Sequence, residues 1–279
     1  MVDIERDRWG RPLVKPLDGG EPEAFTRVST LAKTLDDMNG LMGWVERKVA
    51  EGIIRRPDLQ TRVAGILANG SPDTDWQLKR QLNAVCREAK EAAGASRGAS
   101  SGTGFHHLTE AIDRGLEPEF VPEADKARLD DYRRALAGCK ALDVEVFCVN
   151  DELRAAGTFD RIMLTPDLRL NDGTILPAGV YVADLKSGKS DNQYPFSACV
   201  QIATYSRSKR YDPETGERSP LHAALNLSIG LMIHSPVTGG CEVIPLDLDI
   251  GWEAAQLATK VRAMRGLKAE DIIRKPVPA

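Results

Sequence analysis

Apolar residues recur every three or four positions between residues 31 and 49, a spacing typical of one face of an α-helix. Ser29 or Thr30 precedes this stripe and can cap the helix. A second helix is predicted after Ser71-Pro72-Asp73, followed by a loop of small residues from Gly94 to Gly104. Residues 1–24 are rich in Pro, Gly and charge, which predicts a flexible arm before the first helix.

Beyond residue 104 the pattern changes to strands interspersed with helices. Helices are predicted over 105–114, 122–138, 196–210 and 252–265, and strands over 144–149, 157–164, 180–185, 224–234 and 242–246. This order predicts an α/β fold, with a mixed central sheet flanked by helices and an N-terminal helical extension. The predicted divisions are a flexible arm at 1–24, a helical extension or cap at 25–100 and a core domain at 101–279.

Composition places the chain among ordinary globular proteins, with 42% hydrophobic and 28% charged residues among 279. The five cysteines are widely spaced, with no C-x-x-C pair, which favours reduced thiols over a disulfide framework or an iron–sulfur cluster. A net charge of −4 gives no nucleic-acid signature, so any DNA contact requires a local basic patch. The N-terminus has no apolar leader, and we expect a cytoplasmic protein without a membrane partner.

The stretch YVADLKSGKS, residues 181–190, allows two interpretations. Gly188-Lys189-Ser190 resembles the end of a P-loop, but Ala183 stands where a P-loop requires its first glycine. Asp184 and Lys186 instead lie two apart on a predicted strand, so both side chains project from one face. A carboxylate and a cation on one face fit a metal-dependent phosphodiesterase, although such a pair is also common on a solvated edge strand.

A second carboxylate, Asp160, lies on the preceding predicted strand, and a hairpin can place it beside Asp184. Two adjacent acids within a sheet repel each other unless a cation lies between them. The alternative is that Asp160 pairs with Arg161 or with a lysine. Gln201 and Tyr205 share one face of the next predicted helix.

Four short motifs follow one another along the chain. They are G-x-x-x-H-x-x-x-E over 102–110, G-x-x-D over 157–160, D-x-K over 184–186 and Q-x-x-x-Y over 201–205. This order resembles the PD-(D/E)XK nuclease superfamily, in the RecB-type branch that includes recombination exonucleases. The resemblance implies a restriction-endonuclease-like core and a metal-dependent deoxyribonuclease. No helicase motif accompanies the nuclease motifs. In this respect the chain is similar to virus-encoded exonucleases, such as those of bacteriophages, that act in recombination or replication.

The resemblance also implies roles for individual residues. Asp160, Asp184 and Lys186 would be catalytic; His106, Asp160, Asp184 and the Leu185 carbonyl would bind Mg²⁺ or Mn²⁺; Glu110 and Glu145 are weaker candidates for supporting roles. Gln201 and Tyr205 would line the site and contact DNA or support Lys186. His107 is the alternative to His106, and the spacing from Gly102 favours His106. No iron–sulfur cluster is expected, because the cysteines near the C-terminus that some relatives use are missing after Cys241.

Arg207, Lys209 and Arg210 follow Tyr205 and form a candidate clamp for the DNA backbone. Their alternative role is to end a solvated helix, where cations are favoured by the helix dipole. The expected partner is DNA, and a homo-oligomer or a single-strand annealing or recombination partner is compatible with the sequence. Two other functional classes stay open: a catalytically silent DNA-binding or assembly protein on the same fold, and a Cys–His hydrolase.

Overall fold

The computed structural model describes residues 4–274, and for residues 97–101 the backbone alone. The helices are α1 (Val28–Ala32), α2 (Asn39–Arg55), α3 (Pro57–Ala68), α4 (Trp76–Ala92), α5 (Arg97–Asp113), α6 (Glu123–Ala135), α7 (Phe196–Ser206), α8 (Leu248–Arg265) and α9 (Ala269–Ile272). The strands are β1 (Leu13–Val14), β2 (Glu23–Ala24), β3 (Thr26–Arg27), β4 (Lys140–Asn150), β5 (Ala155–Thr165), β6 (Leu168–Arg169), β7 (Ile175–Leu176), β8 (Gly179–Lys186), β9 (Lys209–Tyr211), β10 (Arg218–Pro220), β11 (Ile229–His234) and β12 (Glu242–Asp247).

Eight of these strands form a mixed central sheet in the order β10-β9-β4-β5-β8-β11-β12, with β3 beside β5. β8 pairs in parallel with β11 and β3 in parallel with β5, whereas the other pairs are antiparallel. The parallel pair requires a crossover, which includes α7. With helices on its faces and a helical region near the N-terminus, the chain has the predicted α/β fold.

Strand β8 is buried on both faces, which explains its nearly continuous apolar sequence. Val180 and Val182 belong to a core cluster that also includes residues of α7 and α8. Tyr181, Ala183 and Leu185 belong to a second cluster with residues of α5 and α6. The alternation of side chains along the strand therefore places Asp184 and Lys186 on the α7 face.

The described chain divides into two compact units. One unit comprises Asp37–Gly104 and contains α2, α3 and α4 around a small core that includes Leu59, Val85 and Ala89. The other comprises the described residues up to Asp36 and from Phe105 onward, and it contains the central sheet. Within residues 4–274, no helix is both long and apolar enough to cross a membrane.

The prediction of a flexible arm at residues 1–24 is wrong for the described residues. β1 pairs with β2, and Val14 is fully buried in a cluster with Phe147 and Tyr211. Residues 25–36 also pack with the sheet, so the helical unit begins at Asp37 rather than at residue 25. Only a few apolar residues anchor this segment, and they lie among many charged ones. The sequence did not reveal the anchoring, because so few apolar positions show no helical or strand periodicity.

Other boundaries also differ from the prediction. The stripe over residues 31–49 is divided between α1 and α2 by a 3₁₀ turn at Lys33–Leu35 and a break at Asp36. The small residues before Gly104 are partly helical, since α5 begins at Arg97. Helix α7 ends at Ser206, after which Lys209 begins β9 instead of continuing the helix.

Candidate active site at a fork between two strands

Two carboxylates oppose each other where β5 and β8 separate. The antiparallel ladder between these strands ends at the pair Arg161 and Ala183, and continuing its register brings Asp160 opposite Asp184. Asp160 Oδ2 accepts a hydrogen bond of 2.8 Å from the Leu185 N–H, in place of a backbone acceptor. The two acids therefore lie side by side, as predicted. We call the place where β5 and β8 separate, with Asp160 and Asp184, the fork.

Lys186 and Gln201 connect to the Asp184 carboxylate from β8 and α7. Lys186 Nζ lies 2.6 Å from Asp184 Oδ2 and 3.2 Å from Gln201 Oε1, to which it donates a hydrogen bond. Gln201 Nε2 donates to Asp184 Oδ1 at 2.8 Å. Burial lowers the pKa of Lys186, but the charges of Asp184 and Asp160 outweigh this effect and raise it overall. The lysine is therefore a fixed cation at the fork.

Asp184 is 2% exposed, so its charge is only weakly solvated. Burial raises its pKa, and the neighbouring charge of Asp160 adds to the increase, while Lys186 and His106 partly offset it. Among the described residues, Asp184 Oδ2 has a close ion-pair partner but no hydrogen bond of acceptable geometry. The Lys186 ammonium therefore balances the charge of this buried oxygen.

Helix α5 supplies His106 and Glu110 to the same region. His106 Nδ1 lies 3.6 Å from Asp160 Oδ2. His107 is 66% exposed and lies instead 3.6 Å from Glu110 through its own Nδ1. The structure therefore favours His106 over His107 as the histidine of the fork.

Glu145 extends the row of acids to a third strand. On β4 it is flanked by Val144, opposite Arg161, and Val146, opposite Phe159, so that it faces Asp160. Burial raises the pKa of Glu145 to about 7, with further contributions from the charges of Asp160 and Glu110. Its φ of 55° lies in the left-handed region, which is strained for a residue other than glycine.

The acids of the fork fit a divalent cation in chemistry, although they do not form a complete cage. No group of three or more His, Cys, Asp or Glu side chains within the described part of the chain has the geometry of a metal site. Mg²⁺ is commonly held by one or two carboxylates together with waters and substrate phosphates, a requirement that Asp160 and Asp184 meet. The Leu185 carbonyl faces the fork too, because the N–H and C=O groups of one strand residue point to the same neighbouring strand.

Tyr205 does not lie on an accessible surface, contrary to the prediction that it contacts DNA. It is 4% exposed, and its ring packs edge-on against Phe159. A Cβ atom at Gly157 would come within 2.9 Å of the Tyr205 hydroxyl oxygen. The glycine of G-x-x-D therefore leaves room for the tyrosine of Q-x-x-x-Y, and Tyr205 supports the fork through packing.

The three candidate clamp residues are not a continuous basic face. Arg207 donates a hydrogen bond to Asp249 Oδ1 at 2.8 Å, and Arg210 donates one to Asp143 Oδ2 at 2.8 Å. Both arginines are thus engaged by acids, and both follow the end of α7, with Arg210 on β9. Lys209 is exposed, and no ion pair involving it occurs among residues 4–274. The proposed clamp is therefore reduced to Lys209.

The sequence offered Arg161 as an ion-pair partner for Asp160, but its nearest acid is a different one. Arg161 is fully buried, and its Nε lies 2.8 Å from Asp113 Oδ2 on α5. The Tyr132 hydroxyl also donates to Asp113, at 2.8 Å from Oδ2. This network joins β5 to α5 and thereby fixes the helix of His106 relative to the strand of Asp160. The sequence did contain a sign of this buried ion pair, because Arg161 lies inside the largely apolar stretch FDRIML.

Neither a model of a protein family nor a curated protein matches this chain. The likeness to PD-(D/E)XK nucleases therefore stays a prediction from the motifs. The function of the fork is inferred from its own residues and their contacts.

Proposed function

We propose that this protein is a metal-dependent DNA nuclease, acting as an exonuclease in recombination, replication or repair. The observation that supports this proposal best is the fork itself. Asp160 and Asp184 oppose each other, Asp184 Oδ2 is buried, and Lys186 Nζ lies 2.6 Å from that oxygen. Two hard oxygen donors beside a fixed cation are the groups that a metal-dependent phosphodiesterase uses.

Each residue of the fork has a distinct part in this proposal. Asp160 and Asp184 would hold Mg²⁺ or Mn²⁺, together with the Leu185 carbonyl and His106. When bound, the cation supplies Lewis-acid polarisation of the scissile phosphate and lowers the pKa of the attacking water. Lys186 contributes positive charge where negative charge develops on the phosphate oxygens. Gln201 orients Lys186 and Asp184 by its two hydrogen bonds.

The decisive experiment is the degradation of end-labelled linear DNA and closed circular DNA, with Mg²⁺, Mn²⁺ or chelator. We expect cleavage by the wild type with either cation and none with chelator. Lys186→Ala should lower the rate by about a hundredfold or more, the effect typical of removing one preorganised electrostatic contact. Cleavage of the linear DNA without cleavage of the circle would identify an exonuclease.

The control variant is Lys126→Ala, because Lys126 is exposed on α6 and paired with Glu123. Its rate should equal that of the wild type. Cleavage that persists in chelator would contradict a metal-dependent mechanism. No cleavage by folded wild-type protein with any cation would favour the alternative, a DNA-binding or assembly protein that has lost the chemistry.

A further inference from the structure

Residues 187–195 connect the two elements that hold the fork. The segment begins immediately after Lys186 on β8 and leads into α7, which contains Gln201. Phe196, at the start of α7, lies five residues before Gln201, or about 7.5 Å along the helix at about 1.5 Å per residue. That spacing is about two nucleotide rises, of about 3.4 Å each, along the axis of a stacked DNA strand. The segment is thus next to the fork along the chain, at the end of β8 that carries Lys186.

Two aromatic side chains at the end of the segment are exposed to solvent. Tyr194 is 77% exposed and Phe196 is 42% exposed. An exposed aromatic ring offers a flat apolar face, and nucleic-acid bases stack on such faces irrespective of sequence. We call Tyr194 and Phe196 the aromatic pair.

The segment before the aromatic pair is held in place by hydrogen bonds. The Gly188 N–H donates to Asp191 Oδ2 at 2.7 Å, and the Gly188 carbonyl oxygen lies 2.9 Å from His234 Nε2. Asn192 Nδ2 donates to Glu242 Oε1 at 3.0 Å, so β11 and β12 both anchor the segment. The aromatic pair is thus displayed on an ordered support, which reduces the entropy lost on binding.

The segment contains one cation and one anion, Lys189 and Asp191. Lys189 is exposed, and no ion pair involving it occurs in the described part of the chain. The nearby carboxylate of Asp191 already accepts the Gly188 N–H. An exposed cation and exposed aromatic rings on one segment are the groups with which proteins bind single-stranded nucleic acids.

We propose that the aromatic pair stacks on unpaired bases of the strand whose phosphate enters the fork, so that the preferred substrate presents a single-stranded end. This inference rests on the proposed nuclease function, because the fork supplies the phosphate site beside the segment. Lys189 contacts the backbone of the same strand. The stacking surface is separate from the fork, and its binding contribution can be measured without cleavage.

The test is the affinity of the full-length protein for a short fluorescent oligothymidylate and for a blunt duplex of equal length, in Ca²⁺. Ca²⁺ accepts the same oxygen ligands as Mg²⁺. Tyr194→Ala should weaken binding of the single strand by about tenfold, as expected for the loss of one base stack. Tyr194→Phe should bind like the wild type, because it keeps the ring. Binding of the blunt duplex should change by less than about twofold in both variants.

The matched control is Phe120→Ala, since Phe120 is also 77% exposed but lies before α6. It should not change affinity for the single strand. The proposal fails if Tyr194→Ala binds the single strand like the wild type, or if Phe120→Ala weakens binding equally. It also fails if the single strand and the duplex lose affinity to the same extent.

The two proposals can fail independently. A wild type that binds oligothymidylate through Tyr194 but cleaves no DNA contradicts the nuclease function and keeps the stacking surface. A wild type that cleaves DNA, with Tyr194→Ala unchanged in single-strand binding, contradicts the stacking surface alone. A protein that binds neither the oligothymidylate nor the blunt duplex contradicts both proposals.

Discussion

Glu145 shows how strongly the fork perturbs a single side chain. Its carboxyl group has a pKa of about 7, against an ordinary value of 4.5, because of burial and then the charges of Asp160 and Glu110. A raised carboxyl pKa means that the folded state binds the proton more tightly than the unfolded state. The contribution of Glu145 to stability is therefore fully present below about pH 4.5 and is lost as the pH rises through about 7.

We predict that Glu145→Gln makes the metal-free protein less sensitive to pH, because the variant has no charge to form at this position. The measurement is the Tm in chelator at about pH 5 and about pH 8, the range over which the wild type should lose stability. Glu119→Gln, an exposed acid without a comparable environment, should keep the wild-type difference. An identical pH dependence in Glu145→Gln and the wild type would contradict the buried, acid-flanked setting of Glu145.

Arg161 and Asp113 form a buried ion pair whose disruption should be costly. Arg161→Met leaves the Asp113 carboxylate without its cation in a site where Asp113 is 6% exposed. We expect a loss of about 3–5 kcal/mol in the free energy of unfolding, measured with urea. Adding Asp113→Asn to Arg161→Met should restore part of the lost free energy of unfolding, because the unpaired carboxylate charge is removed.

The control for Arg161 is Arg134→Ala, which breaks an ion pair with Asp131 in which Arg134 is 75% exposed. Its cost should be below about 1 kcal/mol. Equal costs for Arg161→Met and Arg134→Ala would show that the Arg161 network does not stabilise the protein.

At the scale of helices and strands, Gly52 allows α2 and α4 to cross closely. A Cβ atom at this position would lie 1.8 Å from the Ala89 carbonyl oxygen. Gly52→Ala should therefore destabilise the Asp37–Gly104 unit, by forcing the backbones of the two helices apart. The loss is measured by chemical unfolding followed by far-ultraviolet circular dichroism.

Gly65→Ala is the matched control, because Gly65 lies on α3 with no atom within 4 Å of an added Cβ. Alanine favours a helix over glycine by about 1 kcal/mol, so this variant should be as stable as the wild type or more so. If both variants are destabilised, the cause would be a general effect of replacing helical glycines and not the close crossing at Ala89.

The elements themselves were largely predictable where a periodic pattern was long. The strands of Asp160 and Asp184 and the helix of Gln201 lie where the sequence placed them, since apolar alternation and helical spacing are local properties. The end of α7 was not predictable in this way, because residues 207–210 are compatible with a helix until Lys209 pairs with Val149 of β4. Sheet pairing across distant residues overrides the local preference.

At the scale of the whole molecule, a cation that binds the folded fork must stabilise the fold. The wild-type Tm should rise with Mn²⁺ concentration, by the equivalent of about 2.7 kcal/mol when the free ion exceeds its Kd a hundredfold. Asp184→Asn should abolish the rise, because it removes the charge of a proposed ligand. Glu119→Gln should keep the rise. A Tm that is insensitive to Mn²⁺ in the wild type would contradict the proposed metal site.

The sequence by itself determined the α/β class, the candidate acids and the order of the motifs, because these depend on residue type and on spacing along the chain. The tertiary structure alone placed Glu145 beside Asp160 and turned Arg161 toward Asp113. It also buried Tyr205 against Gly157 and anchored the first residues on the sheet through Val14. Each of these contacts joins residues far apart in the chain, and strand register together with close packing selects their partners.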